Sequence, residues 1–187
     1  MKDMDVAVDR LNDAWDEKSA LCVCDYDVDG CTAVALVYKF LQQFYSNIDY
    51  YIPDRYDEGY GVSYKGIDYA HETGVKLIII LDCGIKAISE IEYAKSLAST
   101  SLYVTITCPD EIMPPAVAIL NPKRPDDSYP FKHLCGCGVG FKFMHFRQEQ
   151  RHTILTFSAP ARLLRSKYSS RHCARSGRKQ NIGIPRS

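Results

Sequence analysis

The chain has 187 residues, 46% of them hydrophobic and 25% charged, an ordinary globular composition with enough apolar material for one good core. No apolar run approaches the roughly 18 residues of a membrane span, and the opening MKDMDVAVDR has no signal-peptide character, so the expectation is a cytoplasmic protein with no membrane partner. The formal net charge of zero conceals an asymmetry: residues 1–144 hold 13 Lys and Arg against 22 Asp and Glu, whereas residues 145–187 hold 10 against the single acid Glu149.

In chain order, Val6, Val8 and Leu11 suggest a lead-in helix, and ALCVC (20–24) reads as a buried strand. CTAVALVYKFLQQFY (31–45) is apolar on a helical period. NIDYYIP (47–53) reads as a second strand stopped by Pro53. DRYDEGYGVS is a loop whose Ser63 is placed to cap a helix over about 64–71. VKLIIILD (75–82) is a continuous apolar run of the kind buried on both faces of a sheet. CGIKAISEIEYAKSLA then carries Ile85, Ile88, Ile91 and Ala94 on one side of a helix. SLYVTI and AVAILNP suggest two more strands, and GCGVGFKFM opens a last helix. Strands alternating with helices imply an α/β fold, a doubly wound parallel sheet with helices on both faces.

Five of the eight cysteines (Cys22, Cys24, Cys31, Cys83 and Cys108) lie in or beside the apolar runs, where free thiols are buried. Cys135 and Cys137 form C-x-C without the C-x-x-C partners of a structural zinc site. A reduced compartment is expected.

The stretch CDYDVDGC (24–31) places Asp25, Asp27 and Asp29 at alternate positions before Gly30. An EF-hand begins in the same way but needs a bidentate Glu at its twelfth position, which here is Leu36, and it needs helices on both sides. In a doubly wound sheet, ligands bind beyond the carboxyl ends of the strands. Two strands end in acid there, one at Asp25/Asp27/Asp29 and one at Asp82. Asp82 by itself reads equally as a helix cap. Four carboxylates at one sheet edge suit hard divalent cations, with oxygen-only ligation favouring Mg²⁺ or Mn²⁺ over zinc. Such ions suit phosphate-ester hydrolysis.

The segments CDYDVDGCTAVAL, IPDRYDEGYGVS, LIIILDCGI and PPAVAILNPKRPDDSYPFKHLCGCGVGFKF resemble, in order and spacing, the DHH phosphoesterases, and within them the RecJ type of single-strand-specific exonuclease. The resemblance covers about residues 1–144. It implies metal-dependent 5′-to-3′ hydrolysis of single-stranded DNA with Mn²⁺ or Mg²⁺, and it implies further domains outside this stretch. Asp27 and Asp29 match the family's first metal-binding pair, and Asp82 matches its second-motif aspartate. Asp25 would stand behind them, and Arg55 and Tyr60 of the EGYG loop would face the DNA. Gly136 and Gly138 would let a helix start approach phosphate or the sheet closely.

Thr105, Ile106 and Thr107 stand where the family carries Asp-His-His, and none of them ligates Mn²⁺ as a carboxylate or imidazole does. Codons can be chosen for residues 98–108 so that, read two bases later, the same string spells IDFIVCDHHM. A one-base deletion near Leu97 and an insertion near Cys108 account for this. Read one base later, codons chosen for 159–183 spell APLLDFFAVSIAADIVPVVGENRIL, with AKSNGIPF drawn from 147 onward. The Asp of that stretch, spanning the codons of Arg162 and Leu163, would complete the family's site. Cys22-Val23-Cys24 is one base short of VYG. The expectation is therefore a partial DHH domain over 1–144 and an out-of-frame, disordered tail over 145–187.

Other readings remain open on the residues. Oligoribonucleases and cyclic-dinucleotide phosphodiesterases share the superfamily, though they usually carry an N-P-D-x-D form of the first motif. A non-catalytic fragment could bind nucleic acid through the basic tail in a salt-dependent way. A nucleotide-cofactor site at GCGVG lacks both the G-x-G-x-x-G spacing and the later acid.

Overall fold

In the computed structural model, residues 1–17, 20–109 and 111–150 are described. They form α1 (Met4–Glu17), β1 (Ala20–Cys24), α2 (Val28–Leu41), β2 (Ile48–Tyr51), α3 (Tyr64–Glu72), β3 (Leu77–Leu81), α4 (Ile88–Ser96), β4 (Thr100–Val104), β5 (Ala118–Leu120) and α5 (Gly136–Gln150). The five strands make one sheet of order β2-β1-β3-β4-β5, parallel throughout. The fold is α/β and doubly wound, as the alternation of strand and helix patterns implies.

Side chains along each central strand alternate between two buried faces. Cys22, Cys24, Leu77, Ile79, Leu81, Leu102 and Val104 pack under α1, α2 and α5. Leu21, Val23, Ile78, Ile80 and Tyr103 face α3 and α4 through Ile67, Ala70, Ile91 and Ala94. Every residue of β1 and β3 is buried, which is why both read as unbroken apolar runs rather than alternating ones. β2 shows the opposite pattern because it is an edge strand: Asp49 and Tyr50 are exposed.

Element ends depart from the sequence reading in instructive places. α2 begins at Val28, inside the acidic stretch, because the Asp27 side chain accepts from Gly30 N and so caps the helix. α3 is capped by Ser63, as expected, through Gly66 N. α4 begins only at Ile88, after Ala87, which offers no side-chain cap. Ile85 is buried from the preceding loop instead. Asp82 therefore caps nothing, and the helix-cap reading of it is corrected. α5 continues through Gln150, past the boundary placed at 144, with Arg147 buried under Phe44 and Tyr45. The tail beyond that helix lies outside the described residues, so the out-of-frame expectation for it does too.

Cys22, Cys24, Cys83 and Cys137 are buried, while Cys31 and Cys135 are half-buried. Cys108 is exposed rather than buried, because β4 ends four residues before it. All of these thiols are free. Among the described residues no helix is long and apolar enough to cross a membrane.

A charged clasp joins the start of the chain to the loop after β5. The Arg124 guanidinium, only 5% exposed, grips both oxygens of Asp126 at 2.9 Å and reaches Asp3 Oδ2 and the Ile119 carbonyl. Lys2 adds its backbone N–H to Asp127 and its ammonium to Asp126. The start of the chain and the NPKRPDD loop are thereby held together beside β5.

Candidate active site

The strand order reverses between β1 and β3, and in such a sheet the switch point is where a crevice forms at the carboxyl ends of the strands. Asp25 follows β1 directly and Asp82 follows β3. The first turn of α2 adds Asp27 and Asp29. The four acids that the sequence offers in two separate places thus converge on one spot.

Each carboxylate has a distinct setting. Asp25 is wholly buried: its Oδ1 accepts Tyr26 N at 2.8 Å, and its Oδ2 has no hydrogen-bond partner. Burial raises its pKa, partly opposed by the nearby Tyr60 hydroxyl and by Tyr26 N–H. Asp27 is exposed and spends Oδ1 on Gly30 N. Asp29 accepts Gly136 N at 2.8 Å and Cys137 N at 3.0 Å, one on each oxygen. The N-terminus of α5 is thus closed on a carboxylate rather than open to a ligand. Asp82 carries the strongest perturbation. Burial, then the charges of Asp29 and Asp27, then a hydrogen bond with Asp29 and the charge of Asp25, push it up to about 8.

Two glycines make this convergence sterically allowed. A Cβ at Gly30 would lie 2.6 Å from the Asp25 carbonyl oxygen, and one at Gly136 would overlap the Asp82 carboxyl group itself. Gly138 is different: its N–H points to Cys135 Sγ at 3.3 Å, and its missing Cβ would press on Leu134. Of the two glycines expected near a ligand, Gly136 meets the acids and Gly138 packs inside its own helix start. Asp82 also adopts φ +55°, a left-handed conformation unusual for an aspartate.

The Asp-His-His position lies at the same edge. Thr105 Oγ1 donates to the Cys83 carbonyl at 2.8 Å, and Thr107 Oγ1 lies 3.2 Å from Thr105 Oγ1. Asn121 Nδ2 holds the Thr107 carbonyl at 2.7 Å. These hydroxyls satisfy the backbone of the β3 turn and close on each other.

The loop after β2 leans over the acidic stretch. The Arg55 guanidinium sits 5.3 Å above the Tyr26 ring, and Tyr60 meets the same ring edge-on at 5.9 Å. Burial and the Asp25 carboxylate both raise the Tyr60 phenol. Sequence reasoning passed over Tyr26 and Asn121. The first could have been found from its place between two acids, whereas nothing local marks the second.

Among the described residues, no group of three or more His, Cys, Asp or Glu is arranged to hold a metal ion. The donor chemistry nonetheless fits one hard cation. A buried, partnerless Asp25 oxygen and an Asp82 carboxyl crowded by like charge are both relieved by a positive ion. It does not fit a pair of cations, because the threonines supply neither a carboxylate nor an imidazole.

An open parallel sheet with acids gathered at its switch point defines a doubly wound α/β domain, and the comparisons are specific as to its family. The description "DHH family, N-terminal domain" matches residues 19–164, and the chain belongs to that family. It is 38% identical over 146 residues to the single-stranded-DNA-specific exonuclease RecJ of Bacillus subtilis, covering 78% of this chain and 19% of that protein. It is 38% identical over 140 residues to the RecJ exonuclease of Escherichia coli, covering 74% of this chain and 24% of that protein. The solved structure of an exonuclease RecJ bound to manganese superposes with a TM-score of 0.72 at 25% identity, over 81% of this chain and 38% of the other. The chain thus spans about a fifth to a quarter of the length of these curated relatives.

Proposed function

We propose that this chain is the cation-binding half of a phosphodiesterase core acting on single-stranded DNA as a RecJ-type 5′-to-3′ exonuclease, with Mn²⁺ or Mg²⁺. The observation that carries this reading is the convergence of Asp25, Asp27, Asp29 and Asp82 at the switch point, with Asp82 pushed up to about 8 by its neighbours. Asp27, Asp29 and Asp82 are the residues that would hold the cation. When bound, the cation supplies charge that polarises a phosphoryl oxygen and lowers the pKa of a water.

The chain's own groups have separate tasks. Asp25 fixes the turn by accepting Tyr26 N–H, and its buried charge adds to that of Asp27 beside it. Burial and the neighbouring carboxylates raise the Asp82 pKa and so favour its protonated form beside Asp29; a cation held there would favour the ionised form instead. Gly136 and Cys137 N–H groups orient Asp29. Arg55, with Tyr60 beside it, offers a guanidinium and an aromatic face at the entrance, groups suited to a phosphate backbone and a stacked base.

The threonine pair favours a second reading for the chain as written: a fragment that binds one cation and single-stranded DNA with little turnover. Both readings meet in one experiment. Degradation of a 5′-labelled single-stranded oligodeoxynucleotide is followed in Mn²⁺, for this chain and for a Thr105→Asp/Ile106→His/Thr107→His variant, beside duplex DNA, short RNA and a cyclic dinucleotide. The expected result is a gain of at least about 100-fold in the variant, confined to single-stranded DNA, with Mn²⁺ titration giving one site in the parent chain. Preference for RNA or the cyclic dinucleotide would move the activity to a sister branch. No gain with any substrate would refute the phosphodiesterase reading.

A further inference from the structure

Between β2 and α3, the loop carrying Arg55 and Tyr60 has no regular structure, yet it is tightly built around one side chain. Glu58 is half-buried and accepts hydrogen bonds from three donors, one of them shared between its two oxygens. The Tyr51 hydroxyl at the end of β2 reaches both carboxylate oxygens at 2.9 Å. Asp54 N donates to Oε1 at 2.9 Å, and the Ser63 hydroxyl donates to Oε2. Ser63 is itself the N-cap of α3, receiving Gly66 N. A single carboxylate thereby joins the last residue of a strand, the first turn of the loop and the first turn of a helix.

The rest of the loop follows from that staple. Glu58 N returns to the Asp54 carbonyl at 2.9 Å, and the Asp54 side chain accepts Tyr56 N and Asp57 N. Gly59 and Gly61 take φ of +82° and +91°, conformations that let the chain turn back past Tyr60. Arg55 and Tyr60 leave this frame in the same direction and meet at the Tyr26 ring. The Glu58 carboxylate is bonded to Tyr51, Asp54 and Ser63 rather than to the four acids, so whatever it does for the crevice passes through its loop.

We infer that Glu58 is a positioning residue: its ionised carboxylate holds the 54–63 loop so that Arg55 and Tyr60 are presented to a single-stranded DNA entering the acidic crevice. The inference rests on the reading of Arg55 and Tyr60 as the strand-facing groups. Donor chemistry makes the carboxylate specific. All three donors need an acceptor at once, and a Gln amide offers only one oxygen and turns an N–H₂ toward the other donors. An acid here also keeps one side of a loop rich in rotatable groups ordered before the ligand arrives, which lowers the entropy cost of binding.

The test is a double-mutant cycle on the full chain. Affinity for a fluorescent oligo(dT) in Mg²⁺ is measured for Glu58→Ala in the parent and in an Arg55→Ala/Tyr60→Ala background. The expected loss is about 10-fold in the parent and none in the double background, because a positioning residue has nothing left to position. Mn²⁺ affinity is expected to stay unchanged in Glu58→Ala. Full additivity of the losses, or a parallel fall in Mn²⁺ affinity, would overturn the inference in favour of a general structural role. Glu58→Gln serves if the alanine variant does not fold, and an intermediate loss is expected from it. Hydrogen exchange of the Tyr56–Gly61 amides gives a readout without DNA. Faster exchange is expected in either variant, and unchanged exchange overturns the positioning role. If the parent chain does not bind oligo(dT) while the variants do accelerate exchange, the DNA-facing reading fails and the loop-holding role of Glu58 survives by itself.

Discussion

Replacing Asp82 by Asn isolates the electrostatic strain at the crevice. In the metal-free protein, burial and three neighbouring carboxylates push the Asp82 carboxyl from 3.8 up to about 8. That displacement corresponds to a penalty of about 6 kcal/mol on its ionised form. The folded state therefore binds this proton more tightly than the unfolded chain does. The stability linked to it is fully present below the unfolded value of 3.8 and is lost as pH rises through about 8. Asparagine mimics the protonated acid, keeps a donor for Asp29, and suits the left-handed φ of +55° better than Asp82 does under strain. Urea unfolding in chelator should find the two proteins nearly equal at about pH 4, with the Asn variant more stable by about 5 kcal/mol at about pH 8. Added Mn²⁺ should stabilise the parent at the higher pH and leave the variant where it was. A difference that stays flat with pH, or a less stable Asn variant at about pH 8, would refute the argument that four carboxylates repel one another in this crevice.

Other perturbations reach separate parts of the same construction. Gly136→Ala places a methyl group on the Asp82 carboxyl, so it should cost on the order of 2–3 kcal/mol in urea unfolding and abolish Mn²⁺ binding together. Arg124→Met leaves Asp3 and Asp126 without their shared partner, and a lower thermal midpoint is expected with unchanged Mn²⁺ affinity. Thr105→Val strips the Cys83 carbonyl of its buried donor, and a cost of about 1–3 kcal/mol should follow in the same unfolding assay. Resequencing the encoding DNA across codons 96–110 should reveal paired single-base changes that return Asp-His-His. Bases that stand as translated would instead make the threonines a real feature of the gene.

Much of the site was legible in the chain because its parts are local. Alternate acids followed by glycine mark a strand-to-turn junction, and an acid closing the apolar run 75–82 marks another. The EGYG loop declared itself by its glycines, both of which take positive φ. Three things were not legible. The reach of α5 past residue 144 depends on Arg147 stacking over Phe44 and Tyr45, residues a hundred positions earlier in the chain. The start of α4 at Ile88 left Asp82 uncapped and free to join the acids. The role of Glu58 depends on donors in a strand, a loop and a helix that no period of the sequence relates.

By itself, then, the amino-acid sequence determined the alternation of strands and helices, the parallel sheet and the two acidic strand ends. These follow from side-chain periodicity, capping and burial, which act over a few residues at a time. Only the tertiary structure decided that the two acidic ends lie on either side of one switch point, that Gly136 and Cys137 spend their N–H groups on Asp29, and that the threonines in place of Asp-His-His turn inward to the Cys83 carbonyl. Electrostatic repulsion and hydrogen-bond satisfaction between distant segments are properties of proximity in space, and a linear pattern does not encode them until the sheet has set its strand order.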